Sequence, residues 1–170
     1  GNETGLMRVD SADELPVGWT EEQDGGSYRL IRRKDKAVFG FTVGPHSWKK
    51  FLFPAEQRLF RARKVEGRIE FEDEPAALPK MAFIGVRACE LAAIAVQDKV
   101  FSGGPFMDVI YGARRASTFL VAVNCGQAAK TCFCTSMNTG PRVRNGFDLA
   151  LTEVLQAKRH YFVVEVGSER

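Results

Sequence analysis

No cysteine occurs in the first 88 of the 170 residues, and all four lie between Cys89 and Cys134. A secreted scaffold spreads its cysteines to tie distant loops together. Clustering of this kind excludes a disulfide framework and points to a cytoplasmic protein with metal or redox chemistry. Charge of one sign is missing too: 24 basic residues against 21 acidic ones leave a net charge of +3, spread along the chain. That excludes nucleic acid as the main partner. No run of eighteen apolar residues is present, so no membrane-spanning helix is expected. Gly1 to Leu15 is polar and acidic and reads as no signal peptide. Because the chain opens on Gly1 rather than Met, the native protein is expected to extend further. Ser-His-Asp logic, paired catalytic carboxylates, a P-loop and a dinucleotide-binding glycine fingerprint are all absent, and Gly103-Gly104 is too short for a phosphate loop. No internal repeat or low-complexity segment appears.

What is present supports a core. Hydrophobic residues make up 45% of the chain, enough to fold without disulfide staples. A single domain over residues 1–170 is expected, β-rich across 25–75 and built on a β-α-β unit across 80–170. Gly1 to Asp24 is polar, with Leu15-Pro16-Val17-Gly18-Trp19 docking as an irregular segment. Ser27 to Arg33 and Ala37 to Val43 alternate apolar residues around Lys34-Asp35-Lys36 and predict a hairpin. Arg58 to Val65 and Arg68 to Glu72, flanking Glu66-Gly67, predict another. Pro45 to Phe53 predicts a short turn or helix, and Glu74 to Pro79, with its two prolines, a linker.

The C-terminal half changes character. Met81 to Val86 is a continuous apolar run, as in a strand buried on both faces. Glu90 to Phe101 spaces Leu91, Ile94, Ala95 and Ala92, Val96, Val100 as a largely covered helix would, and Gly103-Gly104-Pro105 stops it. A long loop with Asp108, Tyr111 and Arg114-Arg115 leads to a second buried strand, Thr118 to Val123. Strand, helix, strand predicts a right-handed parallel crossover. Phe147 to Leu155 and Tyr161 to Val166 complete the sheet. The expected class is α+β, mixed α/β: a β-rich N-terminal half packed on a small mixed sheet containing one parallel crossover.

Cys89 falls where the first of these strands gives way to its helix, and Cys125 at the end of the second. In a parallel crossover both carboxyl ends face one sheet edge, with neighbouring strands roughly 4.8 Å apart; open α/β sheets place ligands at that edge. The loop leaving Cys125 adds Cys132 and Cys134, so four thiols are predicted to converge. The positive end of a helix favours thiolate at Cys89. Arg87, Lys130, Arg142 and Arg144 are candidates to offset a negative cluster, and the amides of Gly126 and Gly140 to donate to sulfur. Free cysteine often only packs, and four cysteines also suit zinc. Zinc ranks below an iron–sulfur cluster, because Cys132-Phe133-Cys134 lacks the Cys-x-x-Cys knuckle spacing, although the usual iron–sulfur run is missing as well. Sulfurs stand roughly 6 to 7 Å apart around a four-iron cluster and ~3.8 Å apart around a single ion, and the wider spacing suits two strand ends and a nine-residue loop.

Gly85-Val86-Arg87-Ala88-Cys89-Glu90-Leu91 and Cys132-Phe133-Cys134-Thr135-Ser136-Met137 resemble the iron–sulfur subunit of cytosolic sulfhydrogenases and anaerobic sulfite reductases. So do Gly44-Pro45-His46-Ser47-Trp48-Lys49-Lys50-Phe51, Gly146-Phe147-Asp148-Leu149-Ala150 and Val164-Glu165-Val166-Gly167. The resemblance covers the chain from about Leu15 to its end. It implies an electron-carrying subunit beside a flavin- and nicotinamide-binding subunit of ferredoxin-reductase type, in a hydrogenase or in a sulfur or sulfite reductase. It also implies a C-terminal ferredoxin-like region with two sets of four closely spaced cysteines. This sequence stops at Arg170 before any such region, so a fragment or a truncated member is expected. What carries over is the match of Cys89, Cys125, Cys132 and Cys134 to cysteine-bearing positions.

The expected function is electron transfer inside a multi-subunit oxidoreductase, without catalysis of its own, with Cys89, Cys125, Cys132 and Cys134 as metal ligands. Two alternatives stay open: a metal-free binding or scaffold module of the same complex, and a thiol redox domain in which Cys132 or Cys134 is the nucleophile. Elsewhere, His46, Trp48 and Lys49-Lys50 form a docking turn or simply a capped one. Trp48, Phe51 and Phe53 are expected to leave an exposed patch for a partner. Asp108, Tyr111 and Arg114-Arg115 read as a loop with a solvated or ion-paired arginine pair, and His160 as a surface residue.

Overall fold

The computed structural model describes residues 5–42, 44, 46–73, 79–157 and 159–169. The class is mixed α+β, with strands in sheets of two, two and four. Strand β1 (Trp19–Asp24) pairs antiparallel with β2 (Ser27–Arg32). Gly25-Gly26 closes this hairpin, and Gly26 sits at φ +75°, where a side chain would be strained. The sequence reading paired β2 with residues 37–43 instead. Lys34-Asp35-Lys36 has no glycine to close a tight two-residue hairpin turn. Asp35 binds Arg33 at 2.6 Å and caps the Ala37 amide at 3.2 Å, which bends the chain away. Residues 37–42 form no strand, and Val43 lies outside the described residues.

A one-turn helix, α1 (Lys49–Leu52), follows the Trp48 turn. The second hairpin, β3 (Phe60–Val65) with β4 (Arg68–Asp73), forms as read from the sequence. Most of the linker expected at Glu74 to Pro79 lies outside the described residues. Strand β5 (Met81–Val86), helix α2 (Ala88–Ser102), helix α3 (Val109–Ala116) and strand β6 (Thr118–Val123) form the crossover, with β5 and β6 parallel neighbours. The expected loop around Asp108 is therefore a helix. Asp108 caps it by accepting from the Tyr111 amide at 2.8 Å. Strands β7 (Leu149–Gln156) and β8 (Arg159–Val166) complete the order β5-β6-β7-β8, β7 parallel to β6 and β8 antiparallel to β7.

One face of this sheet carries the core. Phe83, Val86, Leu120, Ala122 and Ala150 pack with Leu91 and Ile94 of α2, Tyr111 of α3 and Leu52 of α1. Trp48 belongs to that core, its ring stacked on Phe83 at 4.5 Å. This corrects the expected aromatic patch: Trp48 is buried, Phe51 half-buried, and only Phe53 exposed. The opposite face is covered only in part. Phe39 packs edge-on against Phe162, and Glu153 accepts from the Val38 and Phe39 amides, which closes the end nearest the strand termini. Ile84, Val164 and Val166 on the same face stay exposed, so the apolar run of β5 is not buried on both sides. Helix α2 is likewise less covered than its spacing predicts, with Val96 and Val100 in solvent.

Candidate metal centre

Gly85, at φ +90°, is the extra residue of a bulge that shifts the β5 register between Ile84 and Val86. A Cβ on it would stand 3.3 Å from the Phe39 ring. Two residues later Arg87 is only 2% exposed. Its Nη2 donates to the carbonyls of Phe39 at 2.9 Å and Phe41 at 2.7 Å, and its Nη1 reaches the Asn124 carbonyl at 3.5 Å. Among the described residues this guanidinium has no ion pair. Its backbone N–H donates to the Glu90 carboxylate at 2.8 Å, which fixes the first turn of α2. Cys89 is the second residue of that helix.

Cys125 follows β6, beside Asn124. The Asn124 side chain accepts from the Val143 amide and donates to Thr152 Oγ1, both at 2.8 Å, so one residue pins both ends of the cysteine loop. The Cys125 amide donates to the Pro141 carbonyl at 3.2 Å, next to a cis Gly140–Pro141 bond. The loop also lies on the β1–β2 hairpin. Gln127 joins Thr20 and Arg33, and Thr131 donates to Gln23 at 2.9 Å. At its far side Gly140 makes room for sulfur: a Cβ there would sit 3.1 Å from Cys134 Sγ and 3.5 Å from the Ala88 Cβ. Cys134 thus lies against the start of α2, beside Cys89. Cys132 is exposed, its sulfur accepting from the Ala129 amide at 3.3 Å.

All four cysteines are free thiols; Cys89 and Cys125 follow the carboxyl ends of neighbouring strands β5 and β6, and Cys132 and Cys134 lie in the loop after Cys125. Cys89 feels the charge of Cys125 and Cys134, and Cys125 that of Cys134 and Cys132. Burial pushes the Cys89 thiol up to about 11, and the Glu90 carboxylate and the neighbouring sulfurs add to the rise. The expectation that the helix end favours thiolate here is therefore corrected: desolvation and Glu90 outweigh the dipole. Burial raises Cys125 as well, against the opposing pull of the Arg87 cation, which also hydrogen-bonds it. Among the described residues, no three or more His, Cys, Asp or Glu side chains close around one ion position.

Of the cations expected near sulfur, Arg87 is buried against Cys125, whereas Lys130 pairs with Asp24 and Arg142 with Glu165. Gly140 borders Cys134, and Gly126 borders nothing closely. His160 contacts Glu153 at 2.8 Å, far along β8 from the thiols in sequence. The residues missed in the sequence are Asn124 and Gln127. Asn124 carried a signal, a lone amide closing the apolar run of β6.

Over 120 residues the chain is 31% identical to Sulfhydrogenase 2 subunit beta of Pyrococcus furiosus. The chain is similar to a sulfhydrogenase beta subunit. That stretch is 71% of this chain and 32% of the relative, so the chain spans about a third of the sulfhydrogenase subunit's length. No protein-family model and no solved structure matches it. No helix among the described residues is long and apolar enough to cross a membrane.

Proposed function

We propose that this chain is the electron-transfer part of a sulfhydrogenase-type oxidoreductase subunit and holds an iron–sulfur cluster through Cys89, Cys125, Cys132 and Cys134. The observation that carries the reading is that the free thiols Cys89 and Cys125 follow the ends of neighbouring parallel strands, with Cys125 beside Arg87, a buried cation hydrogen-bonded to carbonyls. A thiolate-bound cluster brings net negative charge, and a fixed cation next to it lowers the cost of burying that charge. The donor set suits iron–sulfur chemistry. The ranking over zinc rests on the sequence spacing, since Cys132-Phe133-Cys134 lacks the Cys-x-x-Cys knuckle of zinc sites. When bound, the group would supply one-electron transfer. The chain's own residues shield it on one side through α2 and leave Cys132 facing solvent. Partners in this reading are a flavin- and nicotinamide-binding subunit of ferredoxin-reductase type and other oxidoreductase subunits, in the cytoplasm.

The thiol-enzyme alternative, with Cys132 or Cys134 as nucleophile, needs neither iron nor sulfide. The test is iron and acid-labile sulfide in anaerobically reconstituted protein. Each single Cys→Ser change at the four positions is expected to lower both. Three replacements that leave iron and colour unchanged would make the cysteines packing residues and favour the metal-free module.

A further inference from the structure

A basic groove borders the thiols. A cavity of about 200 Å³ runs between α2 and residues 138–146, lined by Ala88, by Gly140, which borders Cys134, and by Asp98, Arg115, Arg142 and Arg144. Arg142 also lines a neighbouring cavity of about 440 Å³ that reaches Cys125. Arg115 is paired with Asp98 at 3.1 Å and Arg142 with Glu165 at 3.0 Å. Arg144 is exposed, and among the described residues no ion pair or hydrogen bond engages it. The groove thus keeps a surplus of positive charge. A second observation comes from the cysteine loop itself. Phe133, between Cys132 and Cys134, is 70% exposed, and Met137 is 61% exposed. Arginine, aromatic residues and methionine are the types enriched in protein interfaces, and among the described residues neither of these two joins the hydrophobic core.

We infer that this groove and the Phe133–Met137 rim dock an acidic protein surface that exchanges electrons at the cysteine site. The exchange rests on the iron–sulfur reading; the docking does not. Charge complementarity selects the partner: one free arginine and two half-neutralised ones attract carboxylates, and the exposed phenyl ring seeks an apolar spot among them. Small, salt-sensitive interfaces of this kind suit transient electron-transfer encounters.

The test uses the metal-free 170-residue chain, so that loss of a cluster cannot imitate loss of docking. A plant-type ferredoxin with a strongly acidic surface serves as the binding probe, and cytochrome c as a basic control. Titration followed by NMR is expected to show ferredoxin binding that weakens between 50 and 200 mM salt, with cytochrome c not binding. Arg144→Glu and Phe133→Ser should each weaken binding about tenfold, whereas Lys64→Glu on the β3–β4 hairpin should leave it unchanged. The inference is overturned if ferredoxin does not bind, or if it binds the Arg144→Glu protein equally well. Displacement by inorganic phosphate at constant ionic strength would also overturn it, by showing a small-anion site. Iron content measured separately on reconstituted Arg144→Glu protein is expected to match the parent. Docking lost with iron retained supports both readings, whereas docking intact in a chain that never takes up iron overturns the exchange of electrons there.

Discussion

Arg87 shows how a single residue can tie distant parts of the chain to one site. Its guanidinium collects carbonyls from residues 39, 41 and 124, none of which is near it in sequence. That is why its structural part was not legible beforehand: an arginine ahead of a helix gives no sign of burial. Replacing it with Met leaves those buried acceptors without their donor, at ~1–3 kcal/mol for each orphaned group. Arg87→Met is therefore expected to lose about 3 kcal/mol in urea unfolding of the metal-free chain, and a change under 0.5 kcal/mol would contradict the geometry. The cysteine positions, by contrast, were readable, because Cys89 and Cys125 mark the ends of strands whose apolar runs are unmistakable. Their reactivity was not readable. Cys89 has a folded value of about 11 against the ordinary 9.0, so the folded state holds this proton more tightly than the unfolded one. Its contribution to stability is full below pH 9 and lost as pH rises through 11. In metal-free protein, iodoacetamide should label exposed Cys132 first and Cys89 last, with Cys89 labelling rising only toward pH 11. Fast labelling of Cys89 at pH 8 would contradict its burial.

At the scale of elements, the crossover strands, their helix and both terminal strands follow from the hydrophobic pattern, because each apolar run must find cover. The two failures have local causes. Residues 37–42 alternate like a strand, yet Asp35 turns them toward Glu153 instead of back along β2. The segment after Asp108 lacks a long apolar stripe, and only the aspartate cap marks it as a helix. Gly85 is the element most dependent on one residue. Gly85→Ala would force a Cβ toward Phe39 at an unfavourable φ, costing ~1–3 kcal/mol. It should also disturb Arg87 beyond the bulge. Sheet positions should divide by face: Leu120→Ala, in the core, is expected to cost ~2–5 kcal/mol, and Val164→Ala, on the exposed face, under ~1 kcal/mol. Thermal unfolding of the pair checks this, and equal losses would mean the second face is covered.

Across the whole molecule, the described chain is unevenly finished. The helices close one side of the four-stranded sheet. The other side leaves Ile84, Val164 and Val166 in water, and the β3–β4 hairpin exposes Ile69 and Phe71. Parallel strands are ordinarily covered on both faces, and a lone two-stranded hairpin is marginal by itself. The stretch similar to the sulfhydrogenase subunit is 71% of this chain and 32% of that subunit. Gly85, Arg87, Asn124 and Gly140 position the segments that carry the cysteines. X-ray absorption at the iron edge, on anaerobically reconstituted protein, tests their assigned role most directly. The account predicts a first shell of sulfur alone at about 2.3 Å, the distance of a metal–thiolate bond, with iron–iron scattering beyond it. A first shell of nitrogen or oxygen, or iron that washes away before measurement, would contradict it.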